Sequence, residues 1–211
     1  MRAPGLVVAH RAANLPSLIA PAVAAGADVV EADVHLFRRR LEVRHAKTLG
    51  PFPRLWERWY LLDRDAPRPL LAPILAAVPP GTGLLLDLKG PDPRLARAVL
   101  RALAAAPPAA GVRVCGRWWG TLERMRGAPG VRTMHSAGSR AQLRLLLRRR
   151  PGSLEGACVR RDLLTPATVA ALRERAEDVW TWPVVDRATA EELGAWGVTG
   201  VIADDPARVR G

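Results

Sequence analysis

The chain has 211 residues, 49% of them hydrophobic, which is long enough to bury a core and too apolar for a disordered protein. Its formal net charge is +12, yet only two of the 32 Lys and Arg residues are lysines, and the arginines are spread along the whole sequence. Because the sequence has no basic arm and no basic-aromatic stripe, we attribute the net charge to the overall amino-acid composition. We therefore expect no nucleic-acid partner.

The sequence also bears on the compartment. It has two cysteines and no CxxC pair, which favours a reducing, cytoplasmic setting. The apolar run before His10 is too short for a secretion signal. No run of about 18 apolar residues indicates a membrane span.

Strand-like and helix-like segments alternate from one end of the chain to the other. Eight short apolar runs predict strands at 6–10, 28–35, 83–89, 112–117, 131–136, 157–160, 178–184 and 198–203. Helical spacing and cap residues predict helices near 14–25, 70–78, 93–105, 120–126, 139–149, 166–176 and 188–196. Helical crossovers make the strands parallel, and eight such units predict an α/β fold, a compact (β/α)8 TIM barrel with short loops and no inserted domain. We expect residues 1–211 to form this one barrel domain.

One segment interrupts the alternation. Between 37 and 69 the sequence first resembles a β-ribbon and then becomes aromatic and rich in turn residues. We therefore expect 37–69 to form a ribbon and a cover segment over one end of the barrel, leaving a pocket that is shallow or closed by this short cover.

Carboxylates gather where two of the predicted strands end. Glu31 and Asp33 share one strand face, and Asp87 and Lys89 share a face of another strand. In barrels of this kind the active site lies at the carboxyl ends of the strands. Three carboxylates packed there without a cation would repel one another. A set of oxygen ligands without cysteine favours a divalent cation, Mg²⁺ or Ca²⁺.

Two histidines fall beside this predicted metal site. His10 ends the first strand, and His45 follows the ribbon. Cleavage of a phosphodiester needs a base for the attacking hydroxyl and an acid for the leaving alkoxide, and imidazoles supply both near neutral pH. Arg11 and Lys89 would then bind the phosphate oxygens. The expected partner is a small phosphodiester or phosphorylated metabolite.

The same residues resemble the motifs of the glycerophosphodiester phosphodiesterase family. That family has an HRG motif, a PENT box, an E-x-D strand, a second histidine, an E-x-K strand and a GVDGIITD-like end. The corresponding segments here are AHRA at 9–12, Asn14, AAGADVVEADVHL at 24–36, RHAKTL at 44–49, LLLDLK at 84–89, VWTWPV at 179–184 and GVTGVIADDP at 197–206.

The resemblance implies a metal-dependent barrel enzyme. In it Glu31, Asp33 and Asp87 would bind the cation, and His10 and His45 would serve acid and base catalysis. The substrate's own neighbouring hydroxyl would attack the phosphorus, giving a cyclic phosphate and releasing an alcohol. The expected outcome is hydrolysis of a glycerophosphodiester-like substrate to an alcohol and a phosphomonoester.

Several positions depart from the family pattern. Ala12 replaces the glycine of HRG, Ala13 replaces the glutamate of the PENT box, and Asp87 replaces a glutamate. Ala46 stands where the family has an aspartate after the second histidine. We therefore expect His45 to lack a carboxylate partner. We also expect either a substrate that differs from plain glycerophosphodiesters or a weakened activity.

The second half of the chain offers further candidates for substrate contact at strand ends, namely Trp182, His135 and Arg160. Two alternative functions stay open from sequence alone. One is a repurposed barrel that acts as a lyase or transferase on a phosphorylated or pyrophosphorylated metabolite. The other is a catalytically silent module that binds a phosphate ligand.

Overall fold

Eight parallel strands close into a barrel in the computed structural model, which describes residues 5–57, 59–108 and 110–211. The barrel strands are β1 (Leu6–Ala9), β2 (Val29–Phe37), β7 (Gly83–Lys89), β8 (Val112–Gly116), β9 (Val131–Ala137), β10 (Leu154–Arg160), β11 (Ala176–Trp182) and β12 (Gly200–Ala203). Each strand pairs in parallel with the next one along the chain, and β1 pairs with both β12 and β2, which closes the ring. The predicted TIM barrel is confirmed, and all eight predicted strands are present.

Helices surround the barrel. They are α1 (Pro16–Ala24), α2 (Leu71–Ala77), α3 (Pro93–Ala105), α4 (Trp119–Glu123), α5 (Arg140–Leu147), α6 (Pro166–Arg173), α7 (Arg187–Trp196) and α8 (Pro206–Arg210). Side-chain caps fix several starts: Ser139 accepts from the backbone N–H of Gln142, and Thr165 and Thr168 form a capping box. The seven predicted helices are present, and α8 is an eighth that the sequence reading missed. None of the described helices has both the length and the apolarity that a membrane crossing requires.

The barrel interior is filled by one side chain from each strand. These side chains form a single buried cluster: Val8, Val29, Leu85, Cys115, Met134, Cys158, Trp180 and Ile202. Because successive strand residues alternate between the two faces, the residue two positions after each of these also points inward, one layer nearer the carboxyl ends. This second layer is where a site can form.

The segment that interrupts the alternation forms two antiparallel structures. A ribbon joins β2 to β3 (Arg40–Val43) through a two-residue turn at Arg38 and Arg39, both with positive φ angles, of 47° and 67°. Such angles are typical of a hairpin turn that usually takes Asn or Gly. Beyond the ribbon lies a separate three-stranded sheet, which we call the cover sheet: β4 (Lys47–Leu49), β5 (Phe52–Glu57) and β6 (Tyr60–Leu61).

Gly200 makes room for the largest side chain of the interior. A Cβ atom at this position would lie 2.7 Å from the indole nitrogen of Trp180, which is fully buried. We expect Gly200→Ala to lower the free energy of unfolding by about 1–3 kcal/mol, because the added methyl group would force the fully buried indole to shift. Urea denaturation measures the change.

The matched control is Gly120→Ala in α4, where the nearest atom to the new Cβ is a flexible arginine nitrogen 3.6 Å away. This variant should be neutral or slightly more stable, because alanine is the better helix former. Equal effects of the two substitutions would contradict the packing described for the interior.

Candidate active site

The second inward layer of the barrel collects most of the polar residues of one cavity. Two positions beyond each interior residue lie His10, Glu31, Asp87, Arg117, Ser136, Arg160, Trp182 and Asp204. Six of these eight, all except Arg160 and Asp204, line a cavity of about 1050 Å³ at the carboxyl ends of the strands. The cover sheet adds Lys47, Thr48, Trp56 and Glu57 to its wall. Of the two expected outcomes, a shallow pocket or one closed by the cover segment, the cavity matches the second, and its volume suits a small molecule.

Three carboxylates converge beside this cavity, and two of them, Glu31 and Asp87, lie in its wall. Glu31, Asp33 and Asp87 each offer an oxygen within 4.8 Å of the other two. Burial raises the pKa of Glu31 well above its ordinary value, and the charges of Asp33 and Asp87 raise it further. Burial likewise raises the pKa of Asp87, although Lys89 opposes the rise. The carboxylates thus destabilise one another's ionised forms, as the sequence reading anticipated.

Two residues of the first loop hold the carboxylates in place. The backbone N–H of Arg11, which has a positive φ of 55°, donates to Glu31 Oε2 at 2.6 Å. The Asn14 side chain makes two hydrogen bonds to Asp33: its amide donates to Oδ2 at 2.9 Å, and its carbonyl oxygen accepts from the Asp33 backbone at 2.8 Å. The geometry of the acidic cluster is therefore set by hydrogen bonds before any ligand binds.

Lys89 provides positive charge inside the cluster. Its Nζ lies 2.6 Å from Asp33 Oδ1 and also contacts Asp87. Burial works against the ionised form of Asp33, but Lys89 and the Asn14 hydrogen bond lower the pKa of Asp33 overall. Burial also disfavours charged Lys89, yet the surrounding carboxylates raise its pKa above the ordinary lysine value. One ammonium group therefore faces three carboxylates.

The donor set suits a hard divalent cation. Metal–oxygen distances of about 2.1 Å for Mg²⁺ and about 2.4 Å for Ca²⁺ place ligand oxygens up to about 4.2–4.8 Å apart around one ion. The three carboxylate oxygens meet this limit. A dication would also relieve the repulsion that raises the pKa values of Glu31 and Asp87.

Both predicted histidines lie on the cavity wall, and each contacts a carboxylate through Nδ1. His10 Nδ1 lies 2.6 Å from Asp204 Oδ1, which comes from the loop after β12. His45 Nδ1 lies 2.8 Å from Glu57 Oε1 at the end of β5. In both rings a carboxylate on Nδ1 favours the tautomer that leaves Nε2 as an acceptor.

The expectation that His45 lacks a carboxylate partner is therefore wrong. Ala46 removes the neighbouring acid from the ribbon, but the cover sheet brings Glu57, twelve residues further along the chain, to the same imidazole. Burial lowers the pKa of His45, while Asp33 and Glu57 act to raise it. The ring is consequently neutral at pH 7 and able to accept a proton.

The Arg11 side chain lies between the acidic cluster and the carboxylate that contacts His45. Its Nε lies 3.7 Å from Asp33, and its Nη1 lies 3.7 Å from Glu57. Because the side chain is 38% exposed and lines the cavity, the guanidinium keeps donors for a ligand.

The three further candidates have different locations. Trp182 lines the cavity, as an inward residue of β11 should. His135 does not reach the cavity: it is an outward residue of β9, 2% exposed, packed edge-on against Trp119 and 3.1 Å from Glu123. Arg160 points inward in register, but its exposed guanidinium pairs with Asp162 at 2.6 Å and is not part of the cavity wall.

Sequence reasoning missed Glu57 and Asp204 as partners of the histidines. The two-residue period could have found Asp204, because it lies two positions after the interior residue Ile202. No local pattern indicates Glu57, since its contact depends on how the cover sheet folds back on the barrel. Arg117 is a further cation in the cavity wall, and its charge, like that of Lys89, opposes the rise in the pKa of Asp87.

Comparisons with known proteins show the fold. No family model and no curated protein sequence matches the chain. Among solved structures, an Oleispira antarctica phosphodiesterase in complex with the product sn-glycerol-3-phosphate superposes with a TM-score of 0.78 at 17% identity, over 98% of this chain and 96% of that one.

Two glycerophosphodiester phosphodiesterases also superpose over nearly the whole chain. The protein from Parabacteroides distasonis gives a TM-score of 0.77 at 18% identity, over 100% of this chain and 97% of that one. The protein from Thermotoga maritima gives 0.72 at 17% identity, over 98% and 97%. The likeness extends over essentially the whole length of both chains in each case. The chain therefore has the fold of the glycerophosphodiester phosphodiesterases.

Proposed function

We propose that this protein is a divergent glycerophosphodiester phosphodiesterase, a metal-dependent hydrolase of small phosphodiesters. The observation that carries the proposal is the convergence, at one cavity, of three carboxylates, a lysine and two histidines that each contact a further carboxylate. The proteins with the same fold support it, since one of them is described in complex with sn-glycerol-3-phosphate.

The charged residues divide into two groups with different tasks. Glu31, Asp33 and Asp87 would hold Mg²⁺ or Ca²⁺, which supplies Lewis-acid stabilisation of charge that develops on the phosphoryl oxygens. Arg11 and Lys89 bind the remaining non-bridging oxygens of the phosphate. Together they would hold the phosphate in the cavity whose wall includes both histidines.

The histidines move the protons. The neutral His45 accepts the proton of the substrate hydroxyl next to the diester, whose oxygen then forms a bond to phosphorus. The bond from phosphorus to the other ester oxygen breaks, and His10, in its protonated form, donates a proton to that oxygen as the alcohol leaves. Water then opens the cyclic phosphate with the proton transfers reversed, which restores both histidines and yields a phosphomonoester.

Activity on soluble diesters tests this function. We expect the protein to hydrolyse glycerophosphocholine or a related diester from a panel, to lose activity with EDTA and to regain it with Mg²⁺ or Ca²⁺. His10→Ala should lower kcat by about 10²- to 10⁴-fold, the usual contribution of a general acid or base. Release of the alcohol measures the rate.

Two results would overturn the proposal: turnover that is insensitive to EDTA, and turnover that survives His10→Ala. Product analysis in ¹⁸O-labelled water separates hydrolysis from the lyase alternative. Hydrolysis incorporates solvent oxygen into the phosphomonoester, whereas a lyase leaves an unlabelled cyclic phosphate. Metal-dependent binding of a diester without turnover would favour the silent binding module instead.

Substitution of Glu57 gives a second test, because the direction in which it should shift the pKa of His45 is defined. The carboxylate acts to raise the pKa of His45, so Glu57→Gln should lower that pKa and move the acidic limb of the kcat/KM profile to lower pH. We expect kcat to fall by about 10- to 100-fold because the imidazole also loses the group that orients it. The pH profile is the decisive readout.

The matched control is Glu177→Gln, the same substitution at an exposed glutamate that pairs with Arg132 away from the cavity. It should leave both kcat and the pH profile unchanged. A Glu57→Gln variant that loses activity with an unmoved acidic limb would show that Glu57 only stabilises the fold.

A further inference from the structure

Exposed apolar side chains concentrate in one short stretch of the chain. Of the nine large apolar residues that are exposed among those the structure describes, five lie between positions 49 and 61: Leu49, Phe52, Trp59, Tyr60 and Leu61. Trp59 is 97% exposed. Such a concentration is unusual for a surface without a partner, because exposed apolar residues are ordinarily scattered.

These residues lie at the two turns of the cover sheet. Leu49 and Phe52 pair across the first turn, and Trp59 and Tyr60 lie in and beside the second. The middle of the sheet is anchored by Leu55, which is 2% exposed. The cover sheet also contributes Lys47, Thr48, Trp56 and Glu57 to the cavity wall. Its exposed turns therefore lie beside the mouth of the candidate active site.

The charge of this region favours an anionic partner. Positions 37–69 contain nine Lys and Arg residues against four Asp and Glu. Two of the four acids are already engaged, Glu42 with Arg44 and Glu57 with His45. Exposed cations lie beside the first turn: Arg38 donates to the backbone carbonyl of Pro51 at 3.0 Å, and Lys47 begins the strand that enters this turn. Two copies of such a surface would repel each other, whereas the anionic head groups of phospholipids attract it.

The residue types are also those of proteins that bind at lipid interfaces. Trp and Tyr combine an apolar ring with a polar atom and are enriched at the level of the head groups. Arginines around them add attraction to anionic lipids. We propose that the cover sheet docks on an anionic phospholipid surface and holds the cavity mouth against it.

This docking defines a substrate class, a step that rests on the proposed function. The substrate would be a glycerophosphodiester that still carries an acyl chain, so that it resides in the lipid surface and not in free solution. Glu57 connects the docking surface to the site, because it contacts His45, ends β5 and pairs with Tyr60 of β6 in the cover sheet. Seating the turn on lipid would hold that strand, and with it the His45–Glu57 pair, in place.

Co-sedimentation with vesicles tests the docking without reference to turnover. The full-length protein should sediment with vesicles of phosphatidylcholine and phosphatidylglycerol, bind pure phosphatidylcholine much less, and be released by salt. The double variant Trp59→Ser/Tyr60→Ser should bind the mixed vesicles roughly tenfold or more weakly, because two interfacial aromatic rings are lost. The matched control is Leu18→Ser/Leu145→Ser, which removes two exposed apolar side chains from α1 and α5 and should bind like the unsubstituted protein.

Docking is overturned if the unsubstituted protein does not bind mixed vesicles, or if the double variant binds as well as the control. Concentration-dependent self-association that the double variant abolishes, with no vesicle binding, would assign the surface to a second copy instead. Hydrolysis of a soluble diester should be unchanged in the double variant. A protein that binds vesicles but hydrolyses neither soluble nor acylated diesters would refute the proposed function and leave the docking intact.

Discussion

The two-residue period of a strand in a closed barrel is the constraint on which this structure depends. One inward layer fills the barrel with apolar side chains from all eight strands. The next inward layer cannot be buried in the same way, because it faces the open end, and it carries most of the chemistry. Glu31 and Asp87 lie in that layer, Asp33 and Lys89 lie two positions further along the same two strands, and the mutual repulsion of the three carboxylates favours binding of a cation.

The same period explains how much could be predicted from sequence. The strands, the barrel and the convergence of the acidic cluster followed from the apolar runs and from residues at their ends. His135 lies outside the cavity wall because it is one residue out of phase and packs between its strand and α4. Glu57 was invisible because its contact to His45 is made by tertiary folding of the cover sheet, which no local pattern encodes. Arg160 shows that an inward position in a strand does not fix where a long side chain ends, because its guanidinium pairs with Asp162.

The departures from the family pattern have local compensation. Ala46 leaves the second histidine without a neighbouring acid, and Glu57 provides a carboxylate from another element. Asn14 still fixes Asp33, although the glutamate of that motif is absent. The shared fold at below 20% identity is thus accompanied by a site whose central charges fit a cation and whose second histidine pairs with a carboxylate from the cover sheet. Because that carboxylate comes from the cover sheet, the sheet connects the chemistry of the site to the surface beside its mouth.

The central claim is that the three carboxylates bind one divalent cation beside the two histidines. A crystal structure of the protein grown with Mg²⁺ or Ca²⁺ tests it most directly. We expect a single ion bonded to Glu31, Asp33 and Asp87, with Lys89 displaced from between the carboxylates and both histidine–carboxylate contacts retained. A crystal that holds no ion at these carboxylates at saturating metal, with Lys89 still bridging Asp33 and Asp87, would contradict it.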